Sequence, residues 1–164
     1  MPQWPVPSAN SILVSGVPLE FEFDAYGTIY PGMGVEYTGA NSYTVQACDT
    51  LGDNLVGIAD ISMAALTGRG SWRKDGVEDL PYITGDEMKV ISGPITVMLL
   101  LAPLNQTITV GNKLQCYGTV AGTFTVFTCG LTTSDPCALV AEAMETVTTT
   151  TLTDSQYIHA KLLI

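Results

Sequence analysis

Residues 18–24 read Pro-Leu-Glu-Phe-Glu-Phe-Asp, so Leu19, Phe21 and Phe23 alternate strictly with Glu20, Glu22 and Asp24. A period of two puts the apolar side chains on one face of a strand and the carboxylates on the other. No helix sorts them that way. Shorter segments of the same kind follow at 11–15, 33–38, 43–48, 54–60, 88–92, 95–101, 107–110, 113–117, 123–128, 137–145 and 156–163. They are rich in Val, Ile, Thr, Tyr and Phe, and turn residues such as Gly39-Ala40-Asn41, Gly52-Asp53-Asn54 and Ala121-Gly122 punctuate them. Only Ile61–Leu66 and Ala138–Glu145 read as short helices. Many short strands at close spacing predict an all-β fold, a compact barrel or sandwich.

The chain also resembles itself. Ile29-Tyr-Pro-Gly-Met-Gly-Val35 matches Ile108-Thr-Val-Gly-Asn-Lys-Leu114, which sets Gly39 opposite Gly118 and Thr44-Val45 opposite Thr123-Phe124. Leu55-Val-Gly-Ile-Ala59 then matches Leu139-Val-Ala-Glu-Ala143, and Leu99-Leu100-Leu101 matches Leu162-Leu163-Ile164. The expected organisation is an extended N-terminal arm, 1–16, followed by a β domain, 17–164. Candidate half-units span 29–101 and 108–164, with an insertion at about 63–87 in the first.

At 164 residues the chain suits one domain or two small units packed as one. Sixteen acidic against six basic residues leave a net charge of −10. Nucleic-acid and anionic-membrane binding both require Lys and Arg, so neither is an expected partner. The first basic residue is Arg69, and the longest apolar run, Val97 to Pro103, is far short of a bilayer span. Synthesis in the cytoplasm is the expectation. Cys48, Cys116, Cys129 and Cys137 form no CxxC pair, which predicts reduced, partly buried thiols.

Catalytic patterns are scarce. His159 is the only histidine, and its strand sets it on one face with Tyr157 and Lys161; a solvated or interface strand residue is the expectation over a general base. No GxSxG elbow or HExxH pair is present, and neither Gly68-Arg-Gly70 nor Gly32-Met-Gly34 makes a phosphate loop. Glu20, Glu22 and Asp24, and the loop acids Asp75, Glu78, Asp79, Asp86 and Glu87, carry oxygens of the type calcium takes. They lack EF-hand spacing, and a solvated acidic surface is the favoured reading. No catalytic residue, metal or cofactor is therefore expected.

Low charge combined with threonine-rich strands, including Thr148 to Thr151, suits protein–protein contact; a generic β domain with ordinary strand threonines is the alternative. Met1-Pro-Gln-Trp-Pro-Val-Pro-Ser8 should be extended and mobile when free, with Trp4 covered by a neighbour on assembly. The insertion concentrates Arg69, Arg73 and Lys74 beside Trp72, residue types enriched at interface centres. Neutralising Asp75, Glu78 and Asp79 is the alternative role of these bases. Trp4, Arg69, Trp72, Arg73 and Lys74 are thus the candidate contact residues.

Val110-Gly111-Asn112-Lys113-Leu114, Leu55-Val56-Gly57-Ile58-Ala59 (with Leu139-Val140-Ala141-Glu142-Ala143) and Ala160-Lys161-Leu162-Leu163-Ile164 resemble the glycine-marked turn, central strand and closing strand of capsid decoration, or cement, proteins of tailed viruses. The resemblance spans roughly 17–164; the insertion and the Pro- and Trp-containing tail depart from it. It implies a β-barrel-like domain that forms a homotrimer on the outer surface of a virion head. There it would clamp neighbouring major capsid protein subunits, with no catalysis and no cofactor. Two other classes stay open: a β-sandwich carbohydrate-binding module, stacking sugars on Trp4, Trp72 and tyrosines, and a small acid-assisted glycoside hydrolase.

Overall fold

The computed structural model describes residues 12–39, 43–49, 55–60, 81–117, 119–127, 140–151 and 156–164. Within them the secondary structure is strand throughout, so the fold is all-β. The strands are β1 (Leu13–Ser15), β2 (Leu19–Ala25), β3 (Gly34–Tyr37), β4 (Thr44–Ala47), β5 (Leu55–Ala59), β6 (Glu87–Ser92) and β7 (Thr96–Leu100). After them come β8 (Gln106–Ile108), β9 (Lys113–Cys116), β10 (Phe124–Val126), β11 (Ala141–Ala143), β12 (Val147–Thr149) and β13 (Tyr157–Leu162). Thus Ala141–Ala143 is strand, and the helix expected at 138–145 is absent from its described part. Ile61–Leu66 lies outside the described residues.

Strands β2, β4, β3, β5 and β6 close a barrel. The alternating segment at 18–24 supplies β2, which pairs antiparallel with β6 from Leu19↔Ser92 to Asp24↔Glu87. Closure is through its far end, where Asp24↔Thr44 and Ala25↔Val45 pair parallel with β4. A six-stranded sheet in the order β1-β7-β13-β11-β9-β10 forms the other half. The sheet curls until Leu101, just past β7, and Phe124 of β10 form a parallel bridge.

The two halves share one strand plan. In the barrel, Val35↔Ala47 and Tyr37↔Val45 join β3 to β4; in the sheet, Leu114↔Val126 and Cys116↔Phe124 join β9 to β10. Val35↔Gly57 is matched by Leu114↔Ala141, Ile58↔Ile91 by Glu142↔Lys161, and Phe23↔Met88 by Leu99↔Ile158. Even the turns agree. The Gly32 N–H donates to Ala59 O and the Gly111 N–H to Ala143 O, each at 2.8 Å, and both glycines have positive φ, 89° and 86°. Glycine alone adopts that conformation without strain.

Two sequence expectations shift under this register. The counterpart of β13 is β6, not the Leu99–Leu101 run, and the plan changes over between Ser92 and Thr96 rather than after residue 101. The sheet also begins inside the expected arm: Ile12 is fully buried, and β1 lies antiparallel along β7.

One apolar cluster runs through both halves, from Phe23, Ile29 and Ile58 to Leu114, Phe124 and Ile158. At the seam, the Gly34 N–H donates to Gly122 O (2.9 Å), the Gly122 N–H to Cys48 O (2.8 Å), and the Leu100 N–H to Gly32 O (3.0 Å). Tyr157 donates its hydroxyl to Pro31 O at 3.0 Å. Backbones come this close because the residues between them lack side chains. A Cβ on Gly34 would sit 2.8 Å from Leu55 Cδ1 and 3.0 Å from Phe124 Cζ.

Candidate interaction surface

The alternation of β2 makes two different surfaces. On the apolar side Phe23 and Ala25 are buried, whereas Phe21 is 42% and Leu19 60% exposed. The Phe21 and Phe23 rings lie 6.2 Å apart, and Phe23 meets Tyr37 edge-on at 5.7 Å. Tyr37 and Tyr43 remain exposed at the margin of this group. Apolar and aromatic surface of this kind gains free energy when a partner covers it.

On the opposite side, Glu20 accepts an ion pair from Lys89 of β6 at 2.6 Å, and Asp60 lies 3.8 Å from the same ammonium. The bond to Glu20 holds the Lys89 pKa above its ordinary value, against the opposing effect of burial. Further along, Asp24 stands directly opposite Glu87. Like charges across a strand pair repel. Glu22, Asp24 and Glu87 line a shallow cleft with Phe23 and Tyr43.

Other titratable groups sit apart. Glu36 is buried, and its Oε1 accepts from Gln46 Nε2 (3.2 Å) and the Asp49 backbone N–H (3.3 Å). A side-chain hydrogen bond to Glu36, with burial and Glu36's charge adding to it, pushes the Asp49 carboxyl above its usual range. His159 Nδ1 lies 3.3 Å from Glu145 Oε1, which also accepts the His159 backbone N–H at 2.8 Å. The histidine's described contacts thus hold its own strand in place. Cys48 and Cys116 are buried, and the Cys116 thiol is pushed far up by a hydrogen bond to Cys48 and by burial. Among the described residues no three His, Cys, Asp or Glu side chains gather where they could hold a metal ion. A second cleft, of about 370 Å³, opens at the seam between Tyr30, Met33, Leu100, Thr149 and Gln156.

The expected contact residues Trp4, Arg69, Trp72, Arg73 and Lys74 lie outside the described residues, as do Cys129, Cys137, Asp75, Glu78 and Asp79. The aromatic group on β2 and β3 is what sequence reasoning missed. Its signal was present in the alternation of 18–24, but which of those side chains stay uncovered is decided by barrel closure at Asp24 and Ala25.

No protein-family profile matches the chain, and no curated protein matches it in sequence. Among solved structures, it is similar to the N base of the head fibre protein gp8.5 of bacteriophage phi29, at 16% identity and a TM-score of 0.48. That match covers 89% of this chain and 94% of the phage chain.

Proposed function

We propose that the protein is a structural virion protein that binds the outer surface of a viral head and bridges major capsid protein subunits, without catalysis. The observation that carries this reading is the exposed apolar surface of the first half. Val17, Leu19, Phe21, Tyr26, Tyr37 and Tyr43 are between 42% and 90% exposed. Covering such residues is favourable by about 25 cal/mol per Å² of apolar area. An acidic surface beside them disfavours adhesion to packaged nucleic acid. The quoted motifs of decoration proteins agree with the reading. The likeness to a head fibre base is consistent with it without carrying it.

On this reading the protein acts as a homotrimer, and repeated weak contacts over a symmetric lattice add by avidity. The experiment is light scattering of the free protein followed by cosedimentation with emptied heads of the virus that encodes it. Trimers, or monomers that cluster in threes on the particle, are the expected result. A strict monomer that stays in the supernatant overturns it.

A further inference from the structure

Among the described residues, strand β7 is covered along the edge that β2 leaves bare. In the shared plan β7 stands where β2 stands, since Leu99↔Ile158 matches Phe23↔Met88. Even-numbered residues of β7 aim their N–H groups away from β13: Met98 donates to Ile12 O (2.9 Å), Leu100 to Gly32 O (3.0 Å) and Ala102 to Phe124 O (2.9 Å). Even-numbered residues of β2 and its extension do the same away from β6, with Asp24 donating to Tyr43 O (2.9 Å) and Tyr26 to Val45 O (2.8 Å). By strand alternation Glu22 and Glu20 aim their N–H and C=O groups at the same side. Among the described residues nothing meets them there. The place that Ile12 and β1 occupy beside Met98 has no occupant beside Glu22 among the described residues.

Of the usual protections this edge keeps only charge. β2 is the longest described strand, at seven residues, and holds no proline, lysine or bulge between Leu19 and Ala25. A long, flat, exposed edge is a template for another strand. Its charge pattern selects which one. Two copies of β2 laid antiparallel would bring the Glu20 and Glu22 carboxylates of each against those of the other, a repulsive pairing. We infer that the 19–23 edge of β2 is a docking site for an extended segment of a partner protein that alternates apolar residues with Lys or Arg. Its apolar side chains would continue the surface of Leu19 and Phe21, and its cations would stand beside Glu20 and Glu22. The added strand would run antiparallel, as β1 does on β7. This goes beyond the proposed function, and the test uses no capsid, so the two stand or fall separately.

The probe is an acetylated, amidated octapeptide of alternating Val and Lys, titrated into the full chain at low salt. Amide exchange at Glu20 and Glu22, read by NMR, should slow by about tenfold or more in the complex while β7 amides stay unchanged. Glu22→Pro removes an outward N–H at an edge position, where proline is tolerated. It should weaken binding by about tenfold, the loss of one hydrogen bond. If that variant does not fold, Glu22→Lys keeps the test by reversing the charge, and it should weaken binding in a salt-dependent way. A peptide with Glu in place of Lys should bind much more weakly than the parent peptide. Unslowed exchange at Glu20 and Glu22, equal binding by folded variants, or equal binding of the Val-Glu peptide overturns the inference.

Discussion

The barrel of β2 to β6 and the sheet strands β7, β13, β11, β9 and β10 follow one register, yet equivalent positions meet opposite surroundings. Gly34↔Ile58 opens the first ladder and is buried at the seam; Lys113↔Glu142 opens the second and is an ion pair facing solvent. Gly32 turns against Tyr157, whereas a Cβ on Gly111 would meet nothing within 4 Å. Backbone hydrogen bonding therefore sets the strand plan, while side-chain identity records which half faces which. Each pair of equivalent positions becomes an internal control, because local conformation is held constant and packing changes.

The sharpest such control is Gly32→Ala against Gly111→Ala. Both place a Cβ at positive φ, which costs about 1–2 kcal/mol. At Gly32 the new atom would also lie 2.6 Å from Tyr157 Cε1 and 3.1 Å from the Met98 carbonyl oxygen. Overpacking of that kind adds about 1–3 kcal/mol. Thermal melting should therefore drop further for Gly32→Ala, by roughly 3 °C for each extra kcal/mol in a chain of this size. Equal melting points for the two variants would mean that the seam is loose enough to yield.

A smaller contrast lies inside the ladders. Gly57 pairs with Val35 as Ala141 pairs with Leu114, so one half accepts a methyl where the other has none. A Cβ on Gly57 would come within 2.6 Å of the Ile91 carbonyl oxygen, which is backbone and cannot swing away. Gly57→Ala should cost about 1–3 kcal/mol by denaturant melting. Ala141→Gly should cost only about 0.5–1 kcal/mol, the entropy of an added glycine. A neutral Gly57→Ala would show that β5 and β6 can separate without penalty.

Alternation and turn residues made most of this fold legible. Twelve of the thirteen described strands overlap segments expected from composition and period, β2 most clearly. The one missed is β12, Val147–Thr149, because a run of threonines carries no apolar alternation. Its inward member is Thr149, 3% exposed, whose hydroxyl donates to the Leu104 carbonyl at 2.5 Å. Pairing of β6 with β13 as equivalents was illegible for a similar reason. The matched positions are Lys89 and His159, Val90 and Ala160, Ile91 and Lys161, which share register and little chemistry. The candidate surface was half legible: alternation separates the two faces of β2, but only closure at Ala25 shows which edge is left over.

Asp49 tests the first ladder's buried acid. Its folded carboxyl titrates above the usual range because Glu36 shares a hydrogen bond with it, so the folded state holds a proton that the unfolded chain releases earlier. Stability from that shared proton is fully present below the ordinary carboxylate pKa and is lost as pH rises through the raised value. Asp49→Asn should therefore melt slightly higher than the parent at neutral pH, by about 1–2 °C given the exposure of the site. The two proteins should converge on acidification. A variant that melts lower at neutral pH would mean the carboxylate is held by a favourable partner instead.

The smallest effect belongs to Lys113 and Glu142, and it carries the opposite sign. The ammonium of Lys113 bonds the Glu142 carboxylate and holds its pKa below the ordinary value. Stability from this pair is present above the unfolded carboxylate range and is lost as pH falls through the lowered value. Both side chains face solvent, so salt should screen the attraction within about 10 Å at 0.1 M. Lys113→Met should leave melting near the parent's at neutral pH and flatten its decline in acid. High salt should erase that difference. Gly34 and Ile58, the equivalent pair at the seam, carry no charge and have no such response. If Lys113→Met instead lowers melting at every pH and salt, the Lys113 stem is packing against the sheet as Ile58 packs in the barrel. The contrast between the halves would then lie in the charge of the contact, not in its burial.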